Sequence, residues 1–242
     1  MTTERSHIEV SGIDVEIRRK AIKNLHVGVY PPDGKVRVAA PAHLDDEAVR
    51  LAIVSRLSWI RRQQKGFVEQ ERQSPRDMVT GESHYFAGRR YRLDVIKHAG
   101  RPAVRLRGNH TLELKVSPGT DQKQRRHILE RWYRQALKSR IPELLARWEP
   151  IVNVKVSECR VKKMKTKWGS CNAQAGRIWL NLELAKKPES CVEYILVHEM
   201  IHFFERHHNE RFRELMDHFM PDWRTRRDQL NAHPLAHENW TY

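Results

Sequence analysis

Tyr194-Ile195-Leu196-Val197-His198-Glu199-Met200-Ile201-His202-Phe203-Phe204 is the stretch on which the reading of this chain turns. Its apolar residues suit a buried helix, and three polar residues interrupt them. Residues four apart on a helix lie one turn apart on the same face. His198 and His202 can therefore converge on one metal ion. Zinc is the default, and cobalt, manganese and nickel are other ions an imidazole site accepts. Glu199 follows the first histidine and is placed to take a proton from a water that the metal acidifies. Burying such groups unpaired is costly, so the interruption asks for a chemical reason. The same pattern also arises by chance in a chain with 14 histidines. The rival reading is then a partly exposed helix with two unrelated rings.

A catalytic zinc usually takes three protein ligands and keeps one position open. Candidates for the third are Glu205, His207 and His208. On a continuous helix Glu205 lies a full turn beyond His202, which suits a group that orients a ligand better than a ligand itself. His208 serves only if the helix ends or bends near Arg206, and geometry then favours it over His207. Asn209 is a natural cap for a following helix. Helices are expected over about 190–205 and 209–230, with Pro221-Asp222-Trp223 reading as a helix start that has proline in its first turn.

Towards the N-terminus the pattern alternates. His7 to Val10, Val15 to Arg18, Val27 to Tyr30 and Val36 to Ala39 are β-prone runs, punctuated by Gly12, Pro31-Pro32 and Asp33-Gly34. Asp45 caps an expected helix that carries Val49, Ile53, Leu57 and Ile60 and stops at Ser74-Pro75. Strands return at Tyr85-Phe86, Tyr91 to Ile96, Ala103 to Leu106 and Thr111 to Val116. A helix is expected from Asp121 to about Trp148, with Ile128, Trp132, Leu137, Ile141 and Leu145 as its apolar stripe. Asn153 to Val156 and Arg177 to Leu180 read as further strands. No internal repeat is visible. The order β, α, β, α, β, α, α indicates an α+β chain, divided into a β-rich N-terminal part (1–120) and a C-terminal domain (121–242).

The chain has 242 residues and a formal net charge of +15, with 31% charged residues. No apolar run approaches the ~20 residues needed to cross a bilayer, and Met1 to Val10 lacks the apolar core of a signal peptide. A cytoplasmic protein without a membrane partner is expected. The three cysteines, Cys159, Cys171 and Cys191, form no C-x-x-C pair, which argues against a disulfide framework or a cysteine-rich zinc site. The basic surface attracts polyanions, so nucleic acid and anionic substrates are candidate partners. It has no phosphate-binding G-x-x-x-x-G-K-[ST] loop and no dense carboxylate cluster for magnesium.

Three blocks resemble the YgjP-like metallopeptidase family, relatives of the SprT-like zinc proteases. The first is Lys165-Thr166-Lys167-Trp168-Gly169-Ser170-Cys171 followed by Gly176-Arg177-Ile178-Trp179-Leu180-Asn181, similar to the family's R-W-G-S-C and G-x-I-x-L-N pattern. The second is Val197 to His202. The third is His208 to Phe212, continued by Pro221-Asp222-Trp223-Arg224 and Arg226-Arg227. Family members often have Asn and Ser around the third histidine, where this chain has His207 and Asn209, and Arg213 replaces a usual Trp. The resemblance implies a small zincin-like metallopeptidase domain with an H-E-x-x-H active-site helix. It implies zinc held by His198, His202 and His208, with Glu199 as general base.

The expected function is zinc-dependent hydrolysis of peptide bonds. The alternatives are a metal-dependent nucleotide or phosphoanhydride hydrolase, a nucleic-acid-associated protease, and a binding module with structural zinc. Trp168 to Cys171 reads either as a strand end with a turn, or as an edge strand that pairs with an extended substrate. A nucleophilic role for Cys171 is disfavoured, because the metal already supplies an activated water. His233, His237 and Tyr242 are candidates for an additional oxyanion donor.

Overall fold

The computed structural model describes residues 5–30, 34–69, 76–164 and 167–232. The expected Pro31-Pro32-Asp33 turn, the Ser74-Pro75 stop, Lys165-Thr166 and the C-terminal His233, His237 and Tyr242 lie outside these residues. The chain is α+β, and its contacts divide it into two compact units, with the division along the chain between Gln73 and Ser74.

In the first unit, β1 (Arg5–Val10) and β2 (Ile13–Lys20) form a hairpin, joined by β3 (His26–Tyr30) and β4 (Lys35–Pro41). The order is β1-β2-β4-β3, with β2 and β4 parallel and both outer pairs antiparallel. Alternation puts Val15, Ile17, Val36 and Val38 on one buried face. Val49 and Ile53 of α1 (Asp46–Val54) and Ile60 of α2 (Leu57–Glu69) share that core. Asp45 caps α1 as expected, accepting from Ala48 N at 2.8 Å. The single long helix expected here is two. The Ser55 hydroxyl donates to the Ala52 carbonyl at 3.0 Å, and Arg56 N reaches back three residues to Ile53 O at 2.9 Å. This local bonding tightens the chain and breaks the α ladder.

The second unit opens with β5 (Ser83–Phe86), β6 (Arg89–Lys97), β7 (Ala103–Arg107) and β8 (Thr111–Val116). Their order, β5-β6-β8-β7, has a parallel β6/β8 pair between two antiparallel ones. That is the topology of the first sheet, and a helical segment follows each, so the structure contains a β-β-β-β-α repeat that the sequence does not display. The helix here is α3 (Gln122–Val152), capped by Asp121 in a capping box with Gln124. Its fully buried stripe is Leu129, Tyr133, Leu137, Ile141, Leu144 and Trp148. Ile128, Trp132 and Leu145 of the expected stripe are only partly buried at its margin.

The boundary expected near residue 120 falls inside this unit. Leu93, Leu112 and Leu114 share one core with α3 and with the helix that carries the histidines. The β5–β6 turn is also tied to distant backbone, since Ala87 N and Gly88 N donate to Ala185 O and Lys186 O, both at 3.0 Å.

Asn153 to Val156 forms no strand. Asn153 takes a left-handed conformation (φ 58°) that ends α3. The Glu149 carboxylate then accepts from Val156 N at 2.8 Å, doing what a strand neighbour would otherwise do. The strand comes later, as β9 (Glu158–Lys162), parallel to β11 (Arg177–Asn181). β10 (Gly169–Asn172) pairs antiparallel with β11 and is one of the two edge strands, in the order β10-β11-β9. A 3-10 turn (Leu182–Lys186) leads into α4 (Glu189–Ile201), followed by α5 (Glu210–Phe219) and α6 (Trp223–Ala232). The helical stretch expected over 209–230 is two helices, and the second starts at Trp223, within the Pro221-Asp222-Trp223 segment that reads as a helix start. Among the described residues no helix is long and apolar enough to cross a membrane.

Candidate metal centre

α4 carries His198 and Glu199, and His202 is its C-cap. The helix ends about one turn earlier than expected. Phe203 N and Phe204 N bond back three residues to Met200 O and Ile201 O, at 3.0 and 2.9 Å. The His202 ring Nδ1 lies 2.9 Å from Glu205 O, and the Glu205 carboxylate accepts from His207 N at 2.9 Å. These contacts fold the chain back on itself, and Asn209 then caps α5 by accepting from Phe212 N at 3.0 Å.

The reversal brings His208 to the other two histidines. One ring nitrogen from each of His198, His202 and His208 lies within 4.8 Å of the others. His207 is exposed and outside the cluster, and Glu205 acts on the ring of His202 through its carbonyl. Phe212 was not singled out as a site residue by sequence reasoning. It is buried against all three rings, with centroids 4.8–4.9 Å away. Its signals in the sequence are its apolar position one turn into a helix that begins at a capped Asn and its place at the end of the His208 to Phe212 block.

The donor set suits a metal ion. A carbonyl only accepts, so His202 Nδ1 carries the ring proton and leaves Nε2 with its lone pair. His198 Nε2 and His208 Nε2 stand 3.0 Å apart, a spacing that requires a proton or a cation to share. Burial, then the neighbouring His202 and His208, push the His198 ring down to about 3. Burial, then His202 and His207, also lower His208. Neutral imidazoles are the form that binds metal.

Glu199 is 5% exposed. Burial raises its carboxyl to about 8, opposed by the charge of Lys167. A cleft of about 940 Å³ opens beside it, lined among others by Trp168, Ser170, Lys167, Arg206 and Arg227 with the three histidines. Cys171 also lines the cleft, and burial followed by the charge of Glu199 pushes its thiol up to about 12. A thiol so protonated is a poor nucleophile.

These shifts give a signed pH dependence for the metal-free protein. The folded-state value of Glu199, about 8, lies above its ordinary 4.5. Its contribution to stability is complete below pH ~4.5 and is lost as pH rises through ~8. His198, at about 3 instead of 6.5, works the other way: its contribution is present above ~6.5 and lost as pH falls. Between pH 6.5 and 8 the Glu199 effect stands alone. Unfolding free energies from urea titrations after chelation should fall over that range relative to Glu199→Gln, by up to about 1.4 kcal/mol per pH unit. Parallel curves would show that the carboxyl is already ionised.

Three convergent imidazoles beside a buried carboxyl belong to the class of metal-dependent hydrolase centres. The sequence pattern described as "YgjP-like, metallopeptidase domain" matches residues 24–233. The chain belongs to this family, which makes it a member of a family of metal-dependent hydrolases. No curated protein matches the chain.

Proposed function

We propose that the protein is a zinc-dependent peptidase of zincin-like build. His198, His202 and His208 hold the ion, and Glu199 is the general base. The observation that carries this reading is the meeting of three imidazoles from two chain segments next to a buried carboxylate on the same helix. When bound, zinc supplies Lewis acidity, lowering the pKa of a water and polarising a carbonyl. Glu199 accepts the proton of the attacking water and passes it to the leaving amine. A carboxyl whose pKa lies near the working pH can both take and return a proton. β10, an edge strand of its sheet that lines the cleft, offers its backbone to an extended peptide.

The test begins with protein purified without chelators. Wild type should hold about one zinc per chain and cleave an unstructured protein such as casein. His208→Ala should weaken zinc binding by more than ~100-fold, beyond the ~10–100-fold typical when a group that merely supports a ligand is lost. His207→Ala should keep both metal and activity. Wild type without metal would overturn the reading, and equal losses in the two variants would overturn the choice of His208.

A second reading has an observation of its own. Lys167, Arg206 and Arg227 line the same cleft, and three cations suit a phosphoanhydride. Zinc-loaded protein that hydrolyses nucleoside triphosphates and leaves casein intact would establish that reading instead. A nucleic-acid partner for the basic surface is the remaining proposal, and a steep salt dependence of DNA or RNA binding is its signature.

A further inference from the structure

Gly169 stands where Glu199 needs room. A Cβ built on it would collide with Glu199 Oε1 and lie 2.6 Å from Cγ and 2.8 Å from Cδ. Real Cβ atoms do not approach other heavy atoms so closely, so any side chain here displaces either the strand or the carboxylate.

The strand is the less yielding partner. Asn181, 2% exposed, donates from Nδ2 to Met164 O at 2.9 Å and to Lys167 O at 2.7 Å. Its backbone N donates to Trp168 O at 2.8 Å. The Trp168 ring also rests on the Lys187 ammonium, 5.4 Å from the ring centroid, and Gly169 pairs with Leu180 in the β10/β11 ladder. The chain on both sides of Gly169 is thus bonded into place. Glu199 is the partner that moves, because the atoms met are the far end of its side chain and an open cleft lies beside it.

We infer that Gly169 is a positioning residue: the absence of a side chain there, on backbone fixed by Asn181, sets where the Glu199 carboxylate sits. The inference rests on Glu199 being the general base, and Gly169 itself touches no reacting atom.

The experiment uses the full-length, zinc-loaded protein with Gly169→Ala, Glu199→Ala and the double variant. Gly169→Ala should retain zinc, because no histidine is touched. Its kcat on casein should fall by about 100-fold or more, the lower end of what a general base contributes, with KM within a few-fold of wild type. Gly169→Ala should also lower the urea midpoint of the protein that has Glu199. In the Glu199→Ala background the same substitution should cost far less, since the three atoms nearest the new Cβ are gone.

That coupling needs no activity and separates the two ideas. If Glu199→Gln stays active while the coupling holds, the general-base reading fails and the steric relation stands. If Glu199→Gln is dead but Gly169→Ala turns over normally, the positioning role is wrong and the general base survives. If Gly169→Ala does not fold alone, folding of the double variant supports the inference. Equal damage in both backgrounds overturns it.

Discussion

Glu199→Gln is expected to lower turnover by about 10²–10⁴-fold, the range that general-base catalysis contributes, with zinc content unchanged. The substitution keeps shape and removes only the basic oxygen. The three imidazoles keep their contacts, since none of the hydrogen bonds around them runs through Glu199. Glutamine also fits the space that Gly169 leaves. After chelation, the variant should be the more stable protein above pH ~8, because a neutral amide replaces a carboxylate that burial disfavours. The measurements are kcat and KM on casein together with zinc analysis of the same preparation. A variant within tenfold of wild type would remove Glu199 from the chemistry and would point to attack by a water that needs no protein base.

The site was more legible than the frame that holds it. A helix that places His198 and His202 one turn apart follows from their spacing, and the cap at Asn209 follows from side-chain chemistry. Both are local rules, and the structure bears them out. α4 ends about one turn before the sequence suggests, and no strong helix breaker near His202 marks that end. The end is set by the contact between the His202 ring and Glu205 O, which depends on the chain having already turned back. The same limit hid the boundary between units. Residues 83–116 look like a continuation of the N-terminal strands, and only their shared core with α3 and α4 assigns them elsewhere. The repeat of β-β-β-β-α is invisible for a related reason. What the two sheets share is strand order and a central parallel pair, and both are long-range pairings between dissimilar sequences. Asn153 to Val156 alternates like a strand, yet the Glu149 carboxylate takes the backbone N–H that a ladder would have used.

The helix that carries the site is itself anchored by a buried carboxylate, and removing it should cost on the order of 3 kcal/mol. Glu193, one turn before Val197, accepts from Trp148 Nε1 and from an Arg147 guanidinium nitrogen, both at 2.8 Å, and from Arg226. Arg226 also pairs with Asp222 at 2.8 Å. One carboxylate therefore joins α3, α4 and α6. Burial works to raise the Glu193 carboxyl, but the hydrogen bonds from Arg226, Trp148 and Arg147 outweigh it and hold it below the usual carboxylate range. A lowered folded-state value contributes stability that is present above pH ~4.5 and lost as pH falls. Glu193→Ala leaves the Trp148 N–H without its acceptor and Arg226 without one of its two carboxylate partners, and a buried group stripped of its partner is the expensive case. Arg147 is half-exposed, so Arg147→Ala should cost only ~1 kcal/mol or less. Urea denaturation followed by tryptophan fluorescence at pH 7 should separate the two variants clearly. In thermal melts Glu193→Ala should lose roughly 6–12 °C, given ~2–4 °C per kcal/mol for a domain of this size. The difference between Glu193→Ala and wild type should shrink below pH ~4.5, where protonation weakens the cluster in wild type as well. Equal, small losses for Glu193→Ala and Arg147→Ala would mean that apolar packing alone fixes α4, and the cluster would then be a consequence of its position.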